Sequence, residues 1–120
     1  MFFGGATRAS RLQNEASTAV GIFTMKILAL ETEIPGVAAA AFTPPLLKQE
    51  AARVWELQQS GVLREVYFRV DRSDAVLILE CADVAEAQQM LGTLPLVQAG
   101  LIAFEVIPLK PYPGLARLFG

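Results

Sequence analysis

The sequence predicts one α+β domain in which two helices cover one face of a four-stranded antiparallel sheet. Composition sets the frame: of 120 residues, 53% are apolar and only 18% charged. That is too apolar for a disordered chain and too short for two ordinary domains. Four stretches have strand-like alternation, and two others carry helix caps with an apolar repeat of three and four residues.

The elements follow in order. "MKILALETEI" (25–34) alternates as a strand, and Pro35-Gly36 stops it. "FTPPLLKQEAARVWELQQSG" reads as a helix, with Thr43 as N-cap, Pro44 and Pro45 in the first turn and Gly61 at the exit. Its apolar stripe is Leu47, Ala51, Val54, Trp55 and Gln58. "VLREVYFRVD" and "AVLILECA" form a hairpin around Arg72-Ser73-Asp74. In "DVAEAQQMLGTL", Asp83 and Glu86 stand at capping-box spacing, and Val84, Ala87, Met90, Leu91 and Leu94 build the buried face. Pro95 closes that helix, "GLIAFEVIPL" is the last strand, and a proline-rich tail follows. Strand, helix, strand, strand, helix, strand with right-handed crossovers is a ferredoxin-like βαββαβ sheet with both helices on one side.

The domain is expected to span 25–113. Residues 1–24 are rich in Gly, Ala, Ser and Thr and read as an upstream extension, disordered or not native, or as a loosely amphipathic helix packed on the domain. Residues 114–120 form a tail whose Leu115, Leu118 and Phe119 are expected to cross onto a neighbouring subunit.

Composition also narrows function. A net charge of −2 without a basic run gives no nucleic-acid surface. No apolar run approaches the roughly 20 residues that span a bilayer, so no membrane is expected. The single cysteine, Cys81, reads as a small core residue, and a cytoplasmic location is expected. The sequence has no histidine, which removes histidine triads, histidine bases and histidine metal sites. With neither a phosphate loop nor Cys/His ligand spacing, no cofactor or metal is expected. The apolar surplus exceeds what one small domain can bury, so the chain is expected to partner itself as a homodimer or larger homo-oligomer.

Splitting each strand into alternate faces places the polar residues. Leu28, Leu30 and Ile34 are the bulkier set of the first strand and are expected to meet the helices. Ile27, Ala29, Glu31 and Glu33 then face away. Val66, Phe68 and Val70 go to the helices, leaving Leu63, Glu65, Tyr67 and Arg69 opposite. Leu77, Leu79 and Cys81 oppose Val76, Ile78 and Glu80, while Ile102, Phe104 and Val106 oppose Leu101, Ala103, Glu105 and Ile107. The helix-free face is therefore mixed apolar and charged. Two such sheets pressed together make a dimeric α+β barrel with a polar pocket between them. The other reading is a wet face with incidental ion pairs, such as Arg69 with Glu80, each contributing about 0–1 kcal/mol.

A pocket of this kind has a definite chemistry. A carboxylate in partly apolar surroundings has a raised pKa and serves as base or acid near neutral pH. An arginine fork holds a carboxylate or an enolate oxygen. The candidate proton shuttle is Glu31 or Glu105, with Tyr67 and Arg69 on the oxygen. Arg64, Glu65 and Glu80 complete the substrate-binding set.

Three stretches, "WELQQSG", "REVYFRVDRSDAVLILE" and "LGTLPLVQAGLIAFEVIPLKPYP", carry a likeness that extends over 25–113. Over this span the chain resembles the muconolactone isomerase family. The resemblance implies paired-sheet dimers that build larger rings and a cofactor-free proton shift in a small unsaturated organic acid or lactone. Arg64 or Arg69 matches the arginine-bearing second strand, and Glu105 falls in the matching last strand. The missing histidine departs from histidine-bearing relatives. It favours a second reading, a non-catalytic oligomeric module that binds a small molecule or a protein.

Overall fold

The structure, a computed structural model, describes residues 23–120. Its strands are β1 (Met25–Glu33), β2 (Leu63–Phe68), β3 (Ala75–Cys81) and β4 (Ile102–Pro108). They form one antiparallel sheet in the order β2-β3-β1-β4, with β1 and β3 in the middle. The helices α1 (Pro44–Ser60) and α2 (Val84–Leu91) make the two crossovers. This is the predicted βαββαβ arrangement.

Local chemistry fixes the helix ends as the sequence indicates. The Thr43 hydroxyl accepts from the Leu46 N–H at 3.4 Å, and Pro44 and Pro45 occupy positions where no helical N–H bond is needed. Gly61 ends α1 at φ 85°, a left-handed conformation that penalises any side chain. At α2 the Asp83 carboxylate accepts from the Glu86 N–H at 2.8 Å, and Glu86 accepts from the Ala82 N–H at 2.7 Å. Asp83→Ala is expected to cost about 1 kcal/mol in a chemical denaturation curve. Pro95 departs from its predicted role: it opens a further helical turn, α3 (Pro95–Gln98), because its fixed φ suits a first helical position.

The core lies between the sheet and the helices, and it corrects the face of β1. Ile27 and Ala29 are fully buried in one cluster with Leu57 of α1 and with Ala87 and Leu91 of α2. They stand across from Leu79 and Leu77 of β3, which are buried in the same cluster. The predicted split followed side-chain bulk, which favours Leu28 and Leu30. The fold instead uses the small Ala29 where helices press closely on the central strand. Leu63 is corrected likewise, since it is 2% exposed and belongs to the core. The β2–β3 register shifts between Leu63 and Glu65, and this bulge at Arg64 reverses the facing of what precedes it. Val66, Phe68, Leu77, Leu79, Cys81, Ile102, Phe104 and Val106 lie on the helix side as predicted. Val70 falls beyond the end of β2 and is wholly exposed.

The helix-free face consequently carries Leu28, Leu30, Val76, Ile78, Ala103 and Ile107, all only half-buried. The N-terminal extension lies outside the described residues except for Phe23 and Thr24. In the tail a short 3₁₀ segment (Pro113–Leu118) leaves Leu115, Leu118 and Phe119 exposed.

Candidate functional site

The corrected register carries Glu31 to the helix side of the sheet. The β1–β3 ladder ends at Leu30 and Val76, so Glu31 stands opposite Ala75, one rung further on. Its carboxylate accepts the Ala75 N–H at 2.8 Å and so takes the place of the missing rung. From above, Glu50 of α1 reaches the first turn of α3 and accepts the Leu96 N–H at 2.9 Å. Between them lies a cavity of about 380 Å³ enclosed by α1, α3 and the sheet. Its mouth is bounded by Leu47, Trp55 and Phe68, which are strongly exposed. Phe104, paired across the strands with Glu31, forms part of its wall.

The predicted helical stripe, Leu47 to Gln58, is thus the roof of a cavity rather than a sealed core contact. Among the described residues Glu31 and Glu50 are the only charged groups of the lining, and Gln58 and the Trp55 indole N–H are its neutral polar groups. Burial raises the pKa of both carboxyls above the ordinary range, and each backbone N–H bond opposes that rise. At Glu31 the charge of Asp74 raises the pKa further and Arg72 lowers it. At Glu50 the charge of Glu31 adds to the rise. Both carboxyls therefore hold their protons to a higher pH than a solvated glutamate does, and they face one largely apolar space, where a carboxyl can serve as base or acid.

The structure separates Glu31 from the other predicted site residues. Glu105 is exposed on the helix-free face beside Leu30. Tyr67 lies on the same face, 56% exposed, and donates its hydroxyl to Glu65 at 2.6 Å. That bond, first, and the charge of Glu65 raise the pKa of Tyr67. Arg69 sits past the end of β2 and grips Asp71 with two bonds, at 2.9 and 2.6 Å. The pairing of Arg69 with Glu80 is therefore corrected: the nearer Asp71 takes the guanidinium. Glu80 accepts from Lys26 and from the Thr24 hydroxyl, with Arg64 3.8 Å away. Those contacts, led by Lys26, lower its pKa. Cys81 is a buried thiol whose pKa burial pushes up to about 12, as suits a core residue.

Glu50 is the residue that the sequence reading missed. Its signal is positional: it stands three residues after Leu47 and four before Val54, so it falls within the apolar stripe. A carboxylate on a packing face is unusual enough to mark a site.

The fold is that of a ferredoxin-like α+β domain, a four-stranded antiparallel sheet with its two crossover helices on one face. The family model for muconolactone delta-isomerase matches residues 25–114, and the chain belongs to that family. Nine solved chains match. One is 5-chloro-2-hydroxyhydroquinone dehydrochlorinase of Burkholderia phenoliruptrix AC1100, solved in complex with 2,5-dihydroxybenzoquinone. It is 18% identical, the match covers 75% of this chain and 98% of that one, and the TM-score is 0.55. No curated protein matches the chain. The family is named for an isomerase that acts on a small molecule. Among the described residues no helix is long and apolar enough to cross a membrane.

Proposed function

We propose that the protein shifts a proton within a small unsaturated lactone or related carbonyl compound, without a cofactor, in the cavity beneath α1. The observation that supports this reading is the pair of half-buried carboxyls sharing one otherwise apolar space. Ionised Glu31 takes a proton from the carbon beside the carbonyl, and the electron pair moves into the ring as an enolate. Gln58 and protonated Glu50 donate hydrogen bonds to the developing oxyanion. Glu31, its proton exchanging with solvent while the enolate stands, delivers a proton to the far end of the unsaturated system, so the double bond moves and the composition is unchanged. Arg64, Glu65, Tyr67, Arg69, Glu80 and Glu105 take no part in this step.

The test is α-angelica lactone in heavy water, followed by proton NMR. Conversion to the conjugated isomer, with deuterium appearing at the newly protonated methyl-bearing carbon, is the expected result. A spectrum that changes no faster than in buffer would reduce the protein to the binding-module reading.

A second copy is proposed to cover the helix-free face. Leu28 and Ile78 are cross-strand neighbours there, and each leaves apolar surface half-exposed in a single copy. Leu28→Asp is expected to halve the mass found by light scattering, or reduce it further, with the far-ultraviolet dichroism unchanged. An unaltered mass would show that this face is not the interface. The cytoplasm remains the proposed location, since a chain with one buried thiol needs no oxidising compartment.

A further inference from the structure

The cavity's charge defines what it takes in more narrowly than the reaction does. Among the described residues no lysine or arginine lines it. Of the described arginines, Arg53 is paired with Glu56 and bonded to Thr93, Arg69 with Asp71 and Arg72 with Asp74, and the α1 lysine, Lys48, is not part of the lining. The two charged groups that do face the space are both carboxyls, one on the floor and one in the roof. The rest of the described lining is apolar except the Gln58 amide and the Trp55 indole N–H. A ligand carboxylate entering here would give up water, meet no cation, and stand close to Glu31 in a medium that screens poorly. An uncharged ring with one carbonyl loses none of this. Its ring faces Trp55, Phe68 and Phe104, and Gln58 supplies a hydrogen-bond donor for its oxygen.

We propose that this cavity selects an uncharged, single-ring carbonyl ligand and discriminates against the same ring bearing a carboxylate. The inference rests on the cavity being the reaction site. It assigns a substrate class distinct from that in the family's name, because muconolactone carries a carboxylate and β-angelica lactone, the conjugated isomer with the same unsaturated ring, does not.

The experiment compares these two lactones on the full-length protein at pH 7, by calorimetric binding and by turnover. The uncharged lactone is expected to bind at least about tenfold tighter, a conservative share of the repulsion between close like charges. In the Glu31→Gln/Glu50→Gln double variant, which keeps both acceptor oxygens, that preference is expected to shrink toward parity. The wild-type comparison stands alone if the double variant does not fold. Equal or tighter binding of muconolactone overturns the charge inference and leaves the proton-shift reading intact. Tighter binding of benzylammonium than of either lactone also overturns it, since the carboxyls would then be a cation site. If neither lactone is bound or turned over, both readings fall together.

Discussion

Glu31→Gln is expected to lower turnover of α-angelica lactone by about 10²–10⁴-fold, the usual contribution of a positioned general base. Glutamine keeps an oxygen to accept the Ala75 N–H, so the β1–β3 edge and the melting temperature should be preserved. Binding should persist, so the loss falls on kcat rather than KM. The pH dependence separates the two carboxyls. In the wild type, kcat/KM rises with pH as Glu31 ionises, with its acid limb displaced above the ordinary carboxylate range by burial. On the proposed roles it is expected to fall again as Glu50, the hydrogen-bond donor, loses its proton. In Glu50→Gln the alkaline limb should disappear while the acid limb stays.

Stability carries the same signature with a definite sign. Both carboxyls have raised pKa values in the fold. The folded state therefore holds more protons than the unfolded state between the ordinary carboxylate value and the raised ones. Stability is highest below that window and declines as pH rises through it. Replacing Glu50 by Gln should flatten this decline while keeping the Leu96 N–H satisfied. A Glu31→Gln protein that retains full turnover would remove the base from the account.

Ile27→Ala is expected to cost about 2–5 kcal/mol of unfolding free energy, the range for deleting a fully buried aliphatic side chain. Ile27 has no exposed surface and packs in the central cluster with Leu79. Urea denaturation at constant subunit concentration measures it. The neighbouring Leu28→Ala should cost far less in the folded subunit and act mainly on assembly, because Leu28 points to the other side. Were the two costs reversed, β1 would face as its side-chain bulk suggests, and Glu31 would leave the cavity.

That contrast shows where the sequence is informative. Caps and turns act over three or four residues, so Thr43, Gly61, Asp83 and Glu86 announce the helix ends, and the element order follows. β3 and β4 also reveal their faces, because one glutamate in each, Glu80 and Glu105, marks the outward set. β1 does not: Ile27 and Ala29 on one side and Leu28 and Leu30 on the other are both apolar, since the fold leaves both faces of a central strand with apolar work to do. The deciding facts are the small size of Ala29 under the helices and the bulge at Arg64, and both depend on contacts distant in the chain. An error of facing at β1 moves Glu31 to the wrong side of the sheet. It then groups Glu31 with Tyr67, Arg69 and Glu105, from which the fold separates it. Glu50 was legible as a carboxylate in an apolar stripe, but its meaning depends on facing Glu31 across the cavity.

The most direct measurement is an amide NMR titration of the ¹⁵N-labelled protein with α-angelica lactone. The Ala75 and Leu96 N–H groups donate to the two carboxylates, and the indole of the sole tryptophan, Trp55, stands at the cavity mouth. These three resonances are expected to shift together and saturate at one ligand concentration, while those of Val76, Ile78 and Glu105 stay in place. Shifts concentrated on Val76, Ile78 and Glu105, with Ala75, Leu96 and Trp55 unmoved, would put the ligand on the helix-free face and contradict a site in the cavity.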